Sequence, residues 1–369
     1  MKSKYPREIN LSNLLKKKSF FLFGPRATGK STLIETTLEN AFHIDLLDPK
    51  TYTQLIKDPS ILTEWAPKGQ LIAIDEVQKH PAILDVVHKM IFQKRNTFLL
   101  TGSSARKLRS GAANLLAGRA WRADLFPLTT AEIPEFDLMK YLNSGGLPAI
   151  YCSKDYEEEL ENYTSLYLKE EIQSEALTRN IPAFAQFLDL IALSNGEEIN
   201  LQNFASDSGV SVNTIKNYIQ ILEDTLIGCS VPPFRKTKKR KAISRSKHYL
   251  FDIGVVNTLA SRGRIKAKSE LFGKAFEQFI FQEIRAYLSY RRLKHQLTYW
   301  RSTSDFEVDF IIGNELAIEV KSSSQVQEKH LKGLRALKEE GMIKKYAIVS
   351  LDLNKRIMKN GFTIYRFQH

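Results

Sequence analysis

The pattern of apolar and polar positions divides this chain into three parts. Up to about Glu135, short apolar runs alternate with helix-like stretches, and the runs occupy residues 20–23, 71–74 and 98–100. Runs that are apolar at every position predict strands buried on both faces, so the alternation predicts a parallel sheet with helices on both sides. A passage rich in Pro and Gly, residues 126–148, then marks the exit from this sheet.

The middle of the chain, residues 157–228, has a helical pattern. Within it, residues 201–208 and 211–222 predict two short helices around a turn at Gly209, and Ser211 suits the N-cap of the second helix. This arrangement is typical of a helix-turn-helix and equally of a helical connector with an ordinary corner. We expect a winged-helix-like region.

A basic segment follows these helices. It comes directly after Val231-Pro232-Pro233-Phe234, suits a β-wing or a loop, and carries Arg235, Lys236, Lys238, Lys239, Arg240, Lys241, Arg245 and Lys247. A run of charges is often no more than a solvated surface. Beside a helix-turn-helix, contact with the backbone of a nucleic acid is an equally good interpretation.

The last third of the chain returns to a mixed α/β pattern. It predicts an amphipathic helix over residues 271–288, a second helix over 327–340, and strands at residues 298–300, 307–312, 316–321 and 346–351. We therefore expect three domains: a nucleotide-binding domain over residues 1–150, a helical region with the basic segment over 151–250, and an α/β domain over 251–369.

The composition adds a bias toward anionic partners. The 369 residues contain 54 Lys and Arg against 41 Asp and Glu, which gives a net charge of +13. Such an excess favours DNA as a partner because cations placed against phosphates release condensed counterions, although a merely soluble basic protein is the alternative. Cys152 and Cys229 have no metal-ligand spacing. The first ten residues are charged and no apolar run approaches the ~20 residues of a membrane span, so we expect a cytoplasmic protein without a membrane partner.

The strongest chemical signal follows the first apolar run. The sequence Gly24, Pro25, Arg26, Ala27, Thr28, Gly29, Lys30 and Ser31 fits the P-loop pattern G-x-x-x-x-G-K-S between a buried strand and a helix. The glycines let the backbone approach phosphates, and the loop and helix N-terminus supply positive potential. We expect Lys30 to reach the β- and γ-phosphates of ATP, Ser31 to ligate Mg²⁺, and Thr28 and Thr32 to make minor contacts.

Two further strands carry residues that suit hydrolysis. The run over residues 71–74 ends in Asp75 and Glu76, a Walker B pattern in which Asp75 would hold Mg²⁺ and Glu76 would act as general base. The run over residues 97–102 ends in Ser103, our candidate for a residue that senses the γ-phosphate, and in Ser104, which is almost as good.

Two arginines past the next helix could serve a neighbouring subunit. Arg119 or Arg122 would act as an arginine finger in a homo-oligomer, and a surface arginine is the alternative for each.

Together these motifs resemble a prokaryotic family of AAA-type ATPases. Its members typically combine a Gly-Pro-Arg-x-x-Gly-Lys-Ser/Thr loop with an Asp-Glu-Val/Ile-Gln Walker B, here Asp75-Glu76-Val77-Gln78, and this chain adds Leu100-Thr101-Gly102-Ser103-Ser104 and Leu116-Ala117-Gly118-Arg119. The C-terminal part looks like the DUF4143 domain that usually accompanies this ATPase. The matching segments are Tyr249 to Gly254, Gly273-Lys274-Ala275-Phe276-Glu277, Tyr299-Trp300-Arg301, Glu307-Val308-Asp309-Phe310 and Ile318-Glu319-Val320-Lys321.

The tail also has a chemical interpretation of its own. Asp309 lies on one predicted strand, and strand alternation puts Glu319 and Lys321 on the same face of the next. Two carboxylates beside a lysine can hold Mg²⁺ and activate water against a phosphodiester, which is the pattern of PD-(D/E)xK nucleases, with Glu277 as a further acid. The alternative is a silent domain of restriction-endonuclease-like fold in which these side chains form structural ion pairs.

Three functional hypotheses follow. The first is an ATP-hydrolysing AAA-type ATPase coupled to a DNA-binding, nuclease-like domain. The second is a nucleotide-gated switch that turns over slowly and acts through partner binding, with a silent C-terminal domain. The third is an ATP-regulated, metal-dependent nuclease.

Overall fold

The N-terminal part is built on a five-stranded parallel sheet. The computed structural model describes residues 5–104, 116, 118–168, 180–352, 355–358 and 361–367. The sheet has the order β2-β3-β4-β1-β5, and its strands are β1 (Ser19–Phe23), β2 (Phe42–Asp45), β3 (Leu71–Asp75), β4 (Thr97–Gly102) and β5 (Ala120–Asp124). β4 lies between β1 and β3, so the residues that follow these three strands meet at one edge of the sheet.

Both faces of this sheet are buried. Successive side chains of a strand point to opposite faces, and here each set joins a different apolar cluster: Phe21 and Phe23 one, Phe20 and Leu22 the other. The described helices around it are Leu11–Leu15, Lys30–Thr37, Pro49–Lys57, Leu62–Trp65 and Ile83–Phe92, with 3₁₀ turns at Pro59–Ile61, Val77–Lys79 and Thr130–Glu132. The predicted parallel sheet with flanking helices is confirmed.

The middle part is winged-helix-like, as predicted. Ser211 caps the second helix of the corner by accepting a hydrogen bond from the Thr214 amide, and Gly209 turns the chain with a φ of +62°. Three short strands pack with the helices in the order β6-β8-β7, namely β6 (Glu197–Glu198), β7 (Gly228–Val231) and β8 (Lys247–Leu250). The helices are Leu138–Ser144, Pro148–Cys152, Tyr156–Asn162, the π-helix Tyr163–Leu168, Ile181–Leu193, Leu201–Asp207 and Val212–Asp224.

The C-terminal part contains a mixed six-stranded sheet in the order β13-β14-β12-β11-β10-β9. Its strands are β9 (Leu297–Arg301), β10 (Glu307–Ile312), β11 (Leu316–Lys321), β12 (Lys345–Ser350), β13 (Arg356–Ile357) and β14 (Thr363–Arg366). The helices are Ile253–Leu259, Glu270–Tyr290 and Lys332–Lys338, with a 3₁₀ turn at Glu328–Leu331. No helix in the described ranges is long and apolar enough to cross a membrane.

One predicted helix is shorter than expected. The pattern predicts a helix over residues 327–340, whereas the structure has a 3₁₀ turn followed by Lys332–Lys338. Gly333 lies so close to the Glu307 carbonyl of β10 that a Cβ atom would collide with this oxygen. The helix therefore packs directly against the backbone of the sheet. The spacing of apolar residues along the sequence does not predict this contact.

The helix Glu270–Tyr290, called the long helix below, links the three parts of the chain. Near its middle, Glu283 accepts hydrogen bonds from the amide (3.0 Å) and hydroxyl (2.9 Å) of Thr130, just after the first sheet. Its last residue, Tyr290, accepts a hydrogen bond from the Phe126 amide at 3.1 Å. In its first half, Glu277 contacts β8 of the middle part.

Candidate functional site

The P-loop leaves the carboxyl end of β1 through a backbone that needs small residues. A Cβ atom on Gly24 would lie 2.6 Å from the Leu125 carbonyl oxygen, so no larger residue fits without a shift. Ala27 and Gly29 have φ angles of +64° and +87°, in the left-handed region. Gly29 is also the N-cap of the helix Lys30–Thr37. Left-handed residues directly before a helix N-terminus are typical of loops whose N–H groups bind anions.

The side chains of the motif converge on this loop. Lys30 is buried, and its Nζ donates to the carbonyl oxygens of Gly24 (2.7 Å) and Pro25 (3.1 Å). The hydroxyl of Ser31 donates to Oδ2 of Asp75 at 2.5 Å, although the two residues are 44 positions apart. The structure therefore brings together the two oxygen donors that the sequence assigned to Mg²⁺. Hydroxyl and carboxylate oxygens are the donors that this ion prefers, so the donor set fits it.

Glu76 follows Asp75 in a left-handed conformation, with φ at +57°. Its amide donates to Oδ1 of Asp75 (3.1 Å) and to the Thr101 hydroxyl (3.3 Å), and this hydroxyl also donates to the Asp75 carboxylate. The neighbouring strand β4 thereby holds the Asp75 carboxylate and the backbone of Glu76.

Gln78 joins the acid on β3 to the serine after β4. This buried side chain donates through Nε2 to a carboxylate oxygen of Glu76 and to the Ser103 hydroxyl at 3.1 Å. A Cβ atom on Gly102 would lie 2.4 Å from Oε1 of Gln78, so a glycine is needed where this amide packs. In the sequence, Gln78 is part of the Walker B motif, but no role is predicted for it. The buried Ser103 and Ser104 lie where predicted, just past β4.

The P-loop is held from behind by residues that no motif contains. Arg7 donates to the carbonyl oxygens of Thr28 (2.8 Å) and Phe126 (2.5 Å) and to the Tyr290 hydroxyl (3.3 Å). Its guanidinium forms a buried ion pair with Glu132 at 3.0 Å. The Tyr163 hydroxyl donates to the Arg26 carbonyl oxygen at 3.2 Å. The middle part therefore contacts the loop through Tyr163, and the long helix is linked to it through Arg7.

The two candidate arginines differ in where they lie relative to the P-loop of their own chain. In the register of β5 with β1, Ala120 is opposite Ser19, so Arg119 lies at the amino end of the sheet. The P-loop follows the carboxyl end of β1, roughly 15 Å away along the strand. Arg122 pairs with Asp124 at 2.7 Å. Arg119 lies over the ring of Phe92, an exposed side chain. From its position Arg119 would have to act on a neighbouring subunit, whereas Arg122 lies over the ring of Phe23, which directly precedes the P-loop.

The C-terminal acids form a second cluster. The register of β10 with β11 places Asp309 opposite Glu319, and Lys321 forms an ion pair with Glu319 at 2.6 Å. Asp309 accepts a hydrogen bond from the Val320 amide at 2.7 Å. Each of the two acids is only 6% exposed. Burial and the nearby Glu277 raise the pKa of Asp309 to about 6, and burial and Asp309 raise that of Glu319.

Glu277 has other partners than these two acids. It accepts a hydrogen bond from the Tyr249 hydroxyl at 2.7 Å and forms an ion pair with Lys247 at 3.4 Å. Lys247 also forms an ion pair with Glu307 at 2.5 Å. Burial favours the neutral form of Lys247, but the carboxylates of Glu277, Asp309 and Glu307 outweigh this effect and raise its pKa. In the described part of the chain, no three His, Cys, Asp or Glu side chains are grouped so that they could hold a metal ion.

Comparison with protein families confirms the predicted resemblance. Residues 16–134 match the family described as an AAA domain, and residues 272–368 match the domain of unknown function DUF4143. Between them, residues 135–266 match the domain of unknown function DUF8612. The AAA domain supports nucleotide binding at the P-loop.

Several curated proteins are similar over most of their length. An uncharacterized protein of Mycobacterium tuberculosis and one of Mycobacterium bovis are each 24% identical over 316 residues, covering 82% of this chain and 70% of the relative. An uncharacterized protein of Methanocaldococcus jannaschii is 24% identical over 346 residues, covering 84% and 75%.

The chain can also be aligned with solved structures. Two of them, Drosophila ORC bound to AT-rich DNA and Cdc6 and Drosophila ORC bound to GC-rich DNA and Cdc6, align with 8% identity and a TM-score of 0.23, over 68% of this chain and 88% of theirs. Scores this low do not establish a common fold.

The contacts of Arg7 predict a change in nucleotide affinity. In Arg7→Lys the charge opposite Glu132 remains, but one ammonium group cannot also hold the Thr28 and Phe126 carbonyls. Because a hydrogen bond from a charged group contributes roughly 1.5–3 kcal/mol, we expect a fluorescent ATP analogue to bind about tenfold or more weakly. Arg291→Lys is the control, since Arg291 forms an exposed pair with Glu8. Unchanged affinity in a folded Arg7→Lys variant would show that the loop does not need this support.

Proposed function

We propose that this chain, which combines an AAA domain with a C-terminal DUF4143 domain, hydrolyses ATP and uses the reaction to change how its middle and C-terminal parts bind DNA. The observation that carries the proposal is the pairing of Ser31 with Asp75 at 2.5 Å, with Glu76 next in the chain. This pairing supports a single site in which phosphates are bound, Mg²⁺ is held and water is activated.

Each group has a separate task in this reaction. Lys30 and the loop N–H groups bind the phosphates, and Ser31 and Asp75 would hold Mg²⁺, which neutralises phosphate charge when bound. Glu76 accepts a proton from the attacking water. The water oxygen forms a bond to the γ-phosphorus, the bond to the bridging oxygen breaks, and ADP and phosphate leave.

Gln78 is a positioning residue in this proposal. Its amide orients the Glu76 carboxylate and links it to Ser103, which we propose contacts the γ-phosphate or the attacking water. Arg119, or Arg122, is proposed to complete the site of a neighbouring copy, which implies that the active form is a homo-oligomer.

Charge and shape support DNA as the partner. The chain carries a net charge of +13, and cations near phosphates gain from counterion release. The second helix of the winged-helix-like part has a stripe of exposed polar side chains, Asn213, Lys216, Asn217 and Gln220. Such side chains suit contact with base edges and phosphates. We place this function in the cytoplasm.

Steady-state turnover tests the proposal. We expect duplex DNA to stimulate ATP hydrolysis several-fold, and we expect hydrolysis to fall at least a hundredfold in Lys30→Ala and Glu76→Gln because each removes a group that stabilises the transition state or takes its proton. The controls are the exposed Lys50→Ala and Glu35→Gln. Very slow turnover that ignores DNA would favour the nucleotide-gated switch instead.

The role of Gln78 gives a separate prediction. Gln78→Ala should lower kcat roughly tenfold and leave KM within about twofold, because the amide contacts Glu76 and Ser103 and not the nucleotide. Gln78→Glu adds a like charge, which raises the pKa of Glu76 and should move the rising limb of the pH–rate profile to higher pH. Gln93→Ala, at an exposed glutamine, is the control. An unmoved pH profile in Gln78→Glu would assign Gln78 a purely structural role.

For the C-terminal domain we favour recognition of DNA over its cleavage. Asp309 and Glu319 are each 6% exposed, which leaves little room for a phosphodiester to reach them. Their charges are balanced by Lys321 and Lys247. This arrangement supports structural ion pairs in a nuclease-like fold. An ATP-regulated nuclease with Asp309 and Glu319 as metal ligands remains the competing proposal.

Cleavage assays decide between these two. With Mg²⁺ or Mn²⁺, we expect no nicking of plasmid, single-stranded or branched DNA by the purified protein, with or without ATP. We expect Asp309→Asn to raise or preserve the thermal midpoint, since burial raises the pKa of Asp309 more than Lys321 and Lys247 lower it and so disfavours its charged form. Metal-dependent nicking that disappears in both Asp309→Ala and Lys321→Ala would establish the nuclease.

A further inference from the structure

The segment between β7 and β8, residues 232–246, contains no acidic residue and seven cations. Five of these seven cations lie in two short stretches, residues 235–236 and 239–241. Most of the seven side chains are exposed to solvent. Below we call residues 232–246 the basic loop. Because like charges repel, contacts from other parts of the chain help to hold these cations close together.

Both arms of the basic loop are bound to β9, at the edge of the C-terminal sheet. In the first arm, the Phe234 amide donates to the Tyr299 carbonyl oxygen at 2.6 Å. In the second arm, the Ile243 amide donates to the Arg301 carbonyl oxygen at 2.8 Å, and the Lys241 carbonyl accepts from Thr303 at 3.0 Å. The loop is therefore part of the C-terminal sheet as well as of the winged-helix-like part.

The tip of the basic loop is fixed by one buried carboxylate. Glu340 accepts hydrogen bonds from three successive amides, those of Lys238 (2.6 Å), Lys239 (2.8 Å) and Arg240 (3.1 Å). Glu340 is 4% exposed. The Arg240 side chain is itself used for anchoring, since it pairs with Glu339 and Glu340. The other cations of the tip remain exposed to solvent.

A cavity of about 420 Å³ next to the tip extends the basic surface. It is lined by Arg240, Lys329, Lys332 and Arg335, with Glu328 and Glu339 among its other residues. Arg240 and Lys332 both lie over the ring of Phe306, at 5.2 and 5.3 Å from its centroid. The cations on the basic loop and those on the helix Lys332–Lys338 thus belong to one continuous face.

We infer that this face binds the phosphate backbone of double-stranded DNA, with Lys236, Lys238 and Lys239 as its principal contacts and Glu340 as the residue that holds the loop in its binding conformation. The inference rests on the proposed DNA function and assigns it a surface. Ordering a loop before binding lowers the entropy lost on association, and an anionic partner relieves the mutual repulsion of the cations.

Duplex DNA fits this face better than a lipid surface does. Peripheral membrane binding needs large apolar side chains that enter the bilayer, and none of the exposed large apolar residues found in the described part of the chain lies within the basic loop. In the sequence, only the short strand β7 separates the loop from the helix that carries the exposed Asn213, Lys216 and Asn217. A backbone-binding loop and a helix with base-reading side chains are complementary parts of a duplex-binding surface.

Fluorescence anisotropy with a labelled duplex tests the surface in the full-length protein. Combining Lys236→Ala, Lys238→Ala and Lys239→Ala should weaken binding tenfold or more at about 100 mM salt and lower the slope of log affinity against log salt by about 2 to 3. The control combines Lys50→Ala, Lys57→Ala and Lys68→Ala, three exposed lysines of the N-terminal part that leave the same net charge.

The outcomes separate the inference from the function on which it rests. If the wild-type protein binds no duplex, both fail. If the wild-type protein binds but the two triple variants lose equal affinity, only the assignment of the surface is overturned. Binding of the loop variant to DNA at full strength, together with lost binding to anionic phosphatidylserine vesicles, would identify a membrane surface and also overturns it.

Glu340→Gln separates loop geometry from charge. If charge alone matters, removing a carboxylate beside the cations strengthens DNA binding. If the loop must be held, an amide oxygen replaces a carboxylate that accepts three N–H groups, and binding weakens. We expect a threefold to tenfold loss, with ATP turnover in the absence of DNA unchanged. Affinity equal to or above that of the wild type would refute the role of Glu340.

Discussion

The buried guanidinium of Arg7 is the interaction on which the geometry of this protein depends. A buried cation is costly unless it is paired and its donors are used, and Glu132 supplies the charge while three acceptors use the N–H groups. Those acceptors are the Thr28 carbonyl of the P-loop, the Phe126 carbonyl after the first sheet, and the hydroxyl of Tyr290. One side chain near the N-terminus therefore connects the nucleotide site to the end of the long helix.

The long helix carries this connection to the second cluster of charges. Tyr290 contacts Arg7, and Glu277, thirteen residues earlier and so about 20 Å away along the axis, contacts Lys247 and Tyr249 of β8. A helix of this length transmits a displacement at one end to the other as a rigid element. A shift of the P-loop on nucleotide binding can thus reach β8, which also bounds the basic loop. Under the proposed function, this chain of contacts is the route by which nucleotide state would be coupled to DNA binding.

The features predicted correctly from the sequence are those that depend on residues close to one another along the chain. The P-loop, the acids after β3 and the bounds of β10 and β11 follow from apolar runs and from residues adjacent in sequence. Arg7 and Glu340 had no such signal as supporting residues, because their partners lie far away in the sequence: Arg7 and Tyr290 are 283 positions apart, and Glu340 and Lys238 are 102 apart. The helix over residues 327–340 was predicted too long for the same reason, since Gly333 is constrained by the backbone of β10.

The distribution of charge explains why a nuclease-like pattern need not mean cleavage. The pattern of Asp309, Glu319 and Lys321 specifies which residues are near one another, and the structure does bring them together. The pattern does not specify how exposed these side chains are. It also does not specify that Lys247, some 60 positions earlier on β8, lies close to them. With this lysine inserted between Glu277 and Glu307, carboxylates that could have faced a metal ion are used to hold β8 against the C-terminal sheet. Burial of these acids and their pairing with lysines are therefore consistent with the proposal that this domain recognises DNA and does not cut it.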